Sequence, residues 1–402
     1  MKYRLFSSLP CSKGKTVAEI DTDALRFNYR LLVSHLSSSC RPLAVVKADA
    51  YGHGLPICIP ALLEEGCDFF VVATLEEAVA AREICDAKNA RADILILGYT
   101  ALESVALLSK YGLIQTVLNE TYGTALADAA ERLGVRLRVH VAVDTGMHRV
   151  GFGACDRETV AQSCHAIARL CQNASLSVEG MFSHYARADE DVPDAERFTE
   201  KQTARFRDLT EALRQAGHPI PFLHICNSAG SLKKADAHMN GARLGIALYG
   251  IPIDDGMGLP LRPVMRLRTS VVHVAPLPVG EPLGYGGTFV AETPRKIATL
   301  PVGYADGWLR DYRGICVTLL TSTGRFSCPI VGRVCMDQCM IDVTDTDAEM
   351  GDTVILFGED GGSASAIAAH AGTIPYEVLT SVSSRVLREE RTDADARQSA
   401  LF

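Results

Sequence analysis

A lysine that closes an apolar run and opens a glycine turn is the first place in this chain where chemistry suggests itself. In Ala44-Val45-Val46-Lys47-Ala48-Asp49-Ala50-Tyr51-Gly52-His53-Gly54 a strand of buried character delivers Lys47 to its carboxyl end, and Tyr51 follows four residues on. An amine placed this way is suited to forming a Schiff base with an aldehyde. A surface lysine after any strand would look the same, so the case depends on what else the chain brings to that end.

Asp144 and Arg149 follow a fifth apolar run, His184 a sixth, Asn227 and Ser228 a seventh, and Arg243 and Gly245 lie within an eighth. Ser228-Ala229-Gly230 together with Gly245-Ile246 reads as a phosphate cradle of backbone N–H groups and a hydroxyl. The competing reading is an ordinary N-cap serine and a packing glycine. A Schiff-base lysine and a phosphate cradle together suit pyridoxal 5'-phosphate, which carries both an aldehyde and a phosphate.

The elements that must position these residues are readable. Eight strand-like runs, Leu43–Val46, Phe69–Val72, Ile94–Leu97, Gln115–Leu118, Leu137–Val143, Val178–Phe182, Phe222–Ile225 and Ala242–Ala247, alternate with segments of three-and-four apolar spacing. Those segments are Ile57–Glu65, Leu75–Ala87, Ala101–Tyr111, Glu120–Leu133, Arg157–Gln172 and Asp194–Ala216. The alternation predicts an α/β fold, and the count favours a closed (β/α)8 TIM-like barrel over an open doubly wound sheet. Past Pro252-Ile253-Asp254-Asp255-Gly256 the runs shorten and are bounded by Gly, Pro and Asp: Thr269–Val274, Lys296–Pro301, Ile315–Leu320, Ile330–Val334 and Thr353–Phe357. A mainly β C-terminal domain is expected there, with helices at Ala364–Ala371 and Tyr376–Val382. The expected domains are residues 12–252 and 253–402. Lys2–Phe6 and Thr16–Ile20 are also strand-like, and a strand within 1–11 is a candidate to join the second domain.

The 402 residues are enough for about two domains. A net charge of −8 argues against nucleic acid as the main partner. Thirteen cysteines without CxxC pairs point to reduced thiols, a cytoplasmic location and no metal site. No run reaches the roughly 20 apolar residues of a membrane span, so no membrane partner is expected.

Taken together, these segments resemble the alanine racemase family, pyridoxal-phosphate enzymes built from a barrel and a C-terminal β domain. The resemblance is carried by AVVKADAYGHG at 44–54, DTGMHRVGF at 144–152, FSHYARADE at 182–190, NSAGS at 227–231, ARLGIALYG at 242–250, GYGGTF at 284–289, LPVGYADGW at 300–308 and VGRVCMDQCM at 331–340. It implies an isomerase that interconverts L- and D-alanine and supplies D-alanine as a peptidoglycan precursor. Lys47 would hold the cofactor and serve one face of the substrate, and Tyr285 the other face, reaching the site from the partner of a homodimer. His184 would lie beside the cofactor ring and Arg243 would face its nitrogen. Tyr51, Asn227, Ser228, Gly245 and Ile246 would bind the cofactor, mostly at its phosphate. Arg149, Met336 and Asp337 would lie at the substrate carboxylate.

Two positions depart from the family pattern. Ala142 stands where many members have a lysine, often carbamylated, seven residues before the arginine matching Arg149. Ser384 stands where a common form of the family has a tyrosine near the phosphate and the substrate entrance. The second departure leaves room for a serine or broad-specificity racemase on the same scaffold. A non-catalytic pyridoxal-phosphate-binding homeostasis protein is a further alternative, but those relatives resemble the barrel alone.

Overall fold

The structure, a computed structural model, describes residues 16–253, 258–358 and 362–392. Eight parallel strands form the first unit: Arg41–Val45, Phe69–Val72, Asp93–Ile96, Ile114–Val117, Leu137–Asp144, Leu176–Phe182, Phe222–His224 and Gly241–Leu244. Each pairs with its neighbours in chain order, Ile114–Val117 pairs with Leu137–Asp144, and Gly241–Leu244 returns to pair with Arg41–Val45. The sheet is therefore a closed barrel, as the strand count implied. Phe69–Val72 and Ile114–Val117 are buried along their whole length. Strands covered on both faces read as continuous apolar runs, which is why the sequence exposes them.

Local signals account for the helix starts. Thr74 caps Leu75–Ala87 through its side chain, and Asn119 does so for Glu120–Arg132. Asp156 and Thr159 form a capping box ahead of Arg157–Gln172. The long helix Pro193–Gln215 opens with proline in its first turn, where the missing N–H costs nothing.

The second unit is a nine-stranded sheet with the order His273–Leu277, Arg295–Leu300, Cys339–Asp342, Arg325–Val331, Cys316–Leu320, Thr353–Phe357, Met265–Ser270, Val17–Asp21 and Leu387–Arg391. Its pairings are antiparallel except the last, between Val17–Asp21 and Leu387–Arg391. The N-terminal strand Val17–Asp21 thus belongs to the second sheet, which moves the start of the barrel past residue 21. The strand considered within 1–11 lies outside the described residues. The run read as Thr269–Val274 is two strands, because the chain leaves the sheet at Val271-Val272. The eighth barrel strand ends at Leu244, so Gly245 is not inside it. Gly245 and Ile246 instead turn into the short 3-10 helix Ile246–Tyr249.

One apolar core runs through both units, including Val46 and Leu248 from the barrel and Leu267 and Leu356 from the sheet. Among the described residues no helix is long and apolar enough to cross a membrane.

Candidate active site

Lys47 lies two residues past the end of the first barrel strand, after Val46. Ala48, Asp49, Ala50 and Tyr51 then take φ values of 53 to 56°, so the chain makes a turn of left-handed helix. Three anchors hold that turn. The Glu77 carboxylate accepts from the Ala48 amide at 2.6 Å and from the Ala73 amide at 2.9 Å. Asp49 accepts from the Leu55 amide at 2.8 Å. The Tyr51 ring lies 4.8 Å from that of Tyr249, whose hydroxyl donates to the Val45 carbonyl at 2.9 Å.

The lysine faces a cavity lined by Val45, Lys47, Tyr51, Leu97, His184, Asp189, Asn227, Ser228, Ala229, Arg243, Gly245, Ile246, Ile253 and Tyr376. Eight of the residues picked out by sequence therefore share one wall-lined space: Lys47, Tyr51, His184, Asn227, Ser228, Arg243, Gly245 and Ile246. At one end the Ser228 hydroxyl accepts from the Gly245 amide at 2.8 Å. A β-carbon on Gly245 would stand 3.0 Å from the Tyr51 hydroxyl oxygen and 3.5 Å from that of Ser228. Asn227 caps the helix Ser228–Lys233, accepting from the Gly230 amide at 2.9 Å. Burial and the neighbouring Tyr376 raise the Tyr51 pKa, so its hydroxyl keeps its proton and remains a donor.

At the other end Arg243 is fully buried. Its guanidinium donates to the carbonyls of Ser183 at 2.6 Å and Ile225 at 2.9 Å, and it meets Nδ1 of His184 at 3.1 Å and Nδ1 of His224 at 2.6 Å. No carboxylate is among these partners, so the buried ion pair that such an arginine suggests is not what holds it. Burial lowers its pKa to about 10, which leaves it charged at neutral pH. His224 then reaches His140 at 3.1 Å, in a barrel interior where Gly180 leaves the space that the His140 ring occupies. An acceptor at His224 Nδ1 requires its proton on Nε2, directed at His140.

Burial and Arg243 depress His184 to about 3, so it is neutral at physiological pH. Its loop is held by Gln202, which donates to the His184 carbonyl at 2.9 Å and accepts from the Ala186 amide at 3.0 Å. Lys47 is lowered first by burial and then by the positive charge of Arg149, against a raising influence of Glu77. The cavity is therefore cationic, with a lysine amine that loses its proton more readily than one in water.

Four of the expected site residues do not line this cavity. Arg149 is exposed on the loop after Leu137–Asp144, within electrostatic reach of Lys47. Tyr285 is 70% exposed and Met336 53% exposed in the single chain. Asp337 forms an ion pair with Arg385 at 2.9 Å. Met336 presents its carbonyl to the Ala305 amide at 3.0 Å, against Gly303, where a β-carbon would collide with it. Ser384 is also exposed and outside the cavity. The aromatic contributed there by the second unit is Tyr376, its ring 6.0 Å from that of Tyr51.

Sequence reasoning missed His140, His224, Asp189 and Tyr376. The two histidines had a signal: each is a polar residue within an apolar barrel run. Tyr376 had none, because it reaches the cavity from the other unit.

Comparison with known proteins follows the same division of the chain. Residues 20–252 match the family model described as alanine racemase, N-terminal domain, and residues 264–390 that of the C-terminal domain. An alanine racemase 1 of Clostridium acetobutylicum is 38% identical over 378 residues, covering 92% of this chain and 94% of that protein. An alanine racemase 1 of Oceanobacillus iheyensis is 36% identical over 377 residues, covering 92% and 96%. Among solved structures, an alanine racemase of Clostridium difficile superposes with a TM-score of 0.86 at 36% identity, covering 94% of this chain and 96% of that one. That of Bacillus anthracis with bound L-Ala-P superposes with a TM-score of 0.85 at 30% identity, covering 95% and 96%.

Proposed function

This chain belongs to the alanine racemase family, and from that premise we propose that it interconverts L- and D-alanine with two opposed bases, Lys47 of one subunit and Tyr285 of a partner copy. The observation that carries this reading is a separation: Lys47 faces the cavity of its own chain, whereas Tyr285 is exposed outside it. A homodimer with shared sites gives that tyrosine a place to act.

The residues present fit pyridoxal 5'-phosphate. The open cradle at Gly245, flanked by the Tyr51 and Ser228 hydroxyls, suits its phosphate, and Lys47 suits its aldehyde. When bound, the cofactor withdraws electrons from the amino acid and makes its α-proton removable. The protein supplies the rest. Tyr51, Ser228 and the backbone of Gly245 and Ile246 would hold the phosphate, with Asn227 fixing the helix start beside them. Arg243 would face the ring nitrogen, and because two cations in contact are disfavoured, its charge would disfavour protonation there. That arrangement would limit electron withdrawal and guard against transamination. Neutral His184 contributes a lone pair or an N–H, not a charge.

Racemisation needs a proton taken from one face and another returned on the opposite face. The Lys47 amine serves one face, and its lowered pKa favours the neutral, accepting form. The Tyr285 hydroxyl serves the other, and the roles exchange in the reverse reaction. Arg149, the Met336 backbone and Asp337 are placed in this reading at the substrate carboxylate.

Mixed subunits test the proposal. Lys47→Ala and Tyr285→Phe enzymes are each expected to be inactive, and after verified subunit exchange they should regenerate one competent site per heterodimer. Exchange without recovery of activity counts against the shared site.

A further inference from the structure

The sequence offers no metal motif, yet the fold gathers a second set of reactive side chains away from the lysine cavity. Asp144 ends a barrel strand, His148 sits on the turn after it, and Cys155 lies beyond the point where the chain returns. One donor atom from each, a carboxylate oxygen, an imidazole nitrogen and a thiol sulfur, lies within 4.8 Å of the others. The return is fixed by backbone pairing of Phe152–Gly153 with Val143–Asp144 and by the Ala154 amide donating to the Asp144 carbonyl at 2.9 Å.

We propose that Asp144, His148 and Cys155 form a three-donor site for a zinc-like divalent cation, with the fourth position open to solvent. A carboxylate, an imidazole and a thiolate are the donor types that zinc takes. Bonds of about 2.0–2.3 Å at tetrahedral angles put neighbouring donors about 3.3–3.7 Å apart. The Asp144 Oδ2 and His148 Nδ1 atoms are already 3.5 Å apart. The other carboxylate oxygen is occupied by the Gly146 amide at 2.9 Å and the His148 amide at 3.0 Å, which aims Oδ2 at the imidazole. The Cys155 Sγ points toward the Asp144 carbonyl at 3.8 Å. An aspartate–histidine pair alone explains two of these groups but not the sulfur. Two anionic donors also offset the nearby cations Arg149 and Arg205.

The site sits on the loop that carries Arg149, the residue next to His148. Arg149 forms no ion pair among the described residues, and its charge is felt at Lys47. A bound cation would fix this loop and thereby couple metal loading to the lysine cavity. Binding itself is measured without turnover, so its failure is distinguishable from failure of the racemase reading.

Chelator-treated, reduced holoenzyme is titrated with Co2+ and followed by its visible ligand-field bands and by calorimetry. Wild type and Cys316→Ser are expected to bind one equivalent per chain with a tetrahedral, thiolate-containing spectrum. His148→Ala and Cys155→Ser should each lose at least tenfold in affinity. A six-coordinate spectrum without thiolate, or unchanged binding in either variant, overturns the site. Unmodified wild type gives a second readout, because stoichiometric Zn2+ should slow alkylation of Cys155 at least tenfold while leaving Cys316 unaffected. Equal labelling with and without Zn2+ overturns it as well.

Discussion

The space a Gly245 side chain would need is already claimed by Tyr51, whose hydroxyl oxygen would lie 3.0 Å from an added β-carbon. In the proposed cradle, the glycine would keep open the approach between a donor hydroxyl and a backbone that the phosphate would enter. Gly245→Ala is expected to weaken pyridoxal-phosphate binding about tenfold, or about 1.4 kcal/mol. Fluorescence titration of the apoenzyme measures this, with the apoenzyme melting temperature as control. Unchanged affinity would remove Gly245 from the cradle.

Tyr376, not Ser384, is the aromatic residue that the second unit brings to the cavity wall. Burial and the nearby Asp189 raise its pKa to about 12, so the phenol stays neutral. Tyr376→Ala should increase kcat/KM for L-serine and L-lysine relative to L-alanine several-fold. Ser384→Tyr should change that ratio less. A larger effect of Ser384→Tyr would show that the exposed position governs selectivity, acting from outside its own chain's cavity.

Glu77 opposes the other influences on Lys47, since its negative charge favours the protonated amine. Glu77→Gln should therefore lower the Lys47 pKa further. The acid limb of the kcat profile should move to lower pH in the direction where Lys47 takes the proton. Movement toward higher pH would contradict the assigned electrostatics.

Acid stability should depend on buried histidines. His53 is fully buried, bonds the Ala50 and Tyr51 carbonyls through Nδ1, and is depressed by burial to about 4. A depressed pKa contributes stability that is complete above the unfolded value of about 6.5 and is lost as pH falls through the folded value. The loss at one such site approaches about 3 kcal/mol. His53→Gln retains donors for both carbonyls but does not titrate. Its unfolding free energy should fall less between pH 6.5 and 4 than that of wild type, measured by denaturant titration at each pH.

The barrel was legible because its strands are apolar along their length, a pattern only double-sided burial requires. The second sheet was less so. Leu387–Arg391 reads Leu-Arg-Glu-Glu-Arg and is polar because it is an edge, paired among the described residues only to Val17–Asp21. Cys339–Asp342 was hidden inside a motif valued for Met336 and Asp337. At the site, the spacing of Lys47, His184, Ser228 and Arg243 revealed which residues meet, since all follow or end barrel strands. It did not reveal the partners of Arg243, because a histidine within an apolar run passes for core. Nor did it reveal Tyr376, whose position depends on how two separately patterned units dock.

The left-handed turn after Lys47 sets a limit on how this protein can be taken apart. Four consecutive non-glycine residues in that conformation cost on the order of 1–2 kcal/mol each, comparable together with the net stability of a whole domain. The turn is braced from the far unit: Gly52 abuts the Leu379 carbonyl so closely that a β-carbon would stand 2.5 Å from it, and Arg388 donates to the Gly52 carbonyl at 3.0 Å. The barrel is therefore not a portable cofactor module. Grafts, fusions or truncations that keep residues up to 253 and discard the rest would retain every strand of the barrel but release the brace on the segment that presents the lysine.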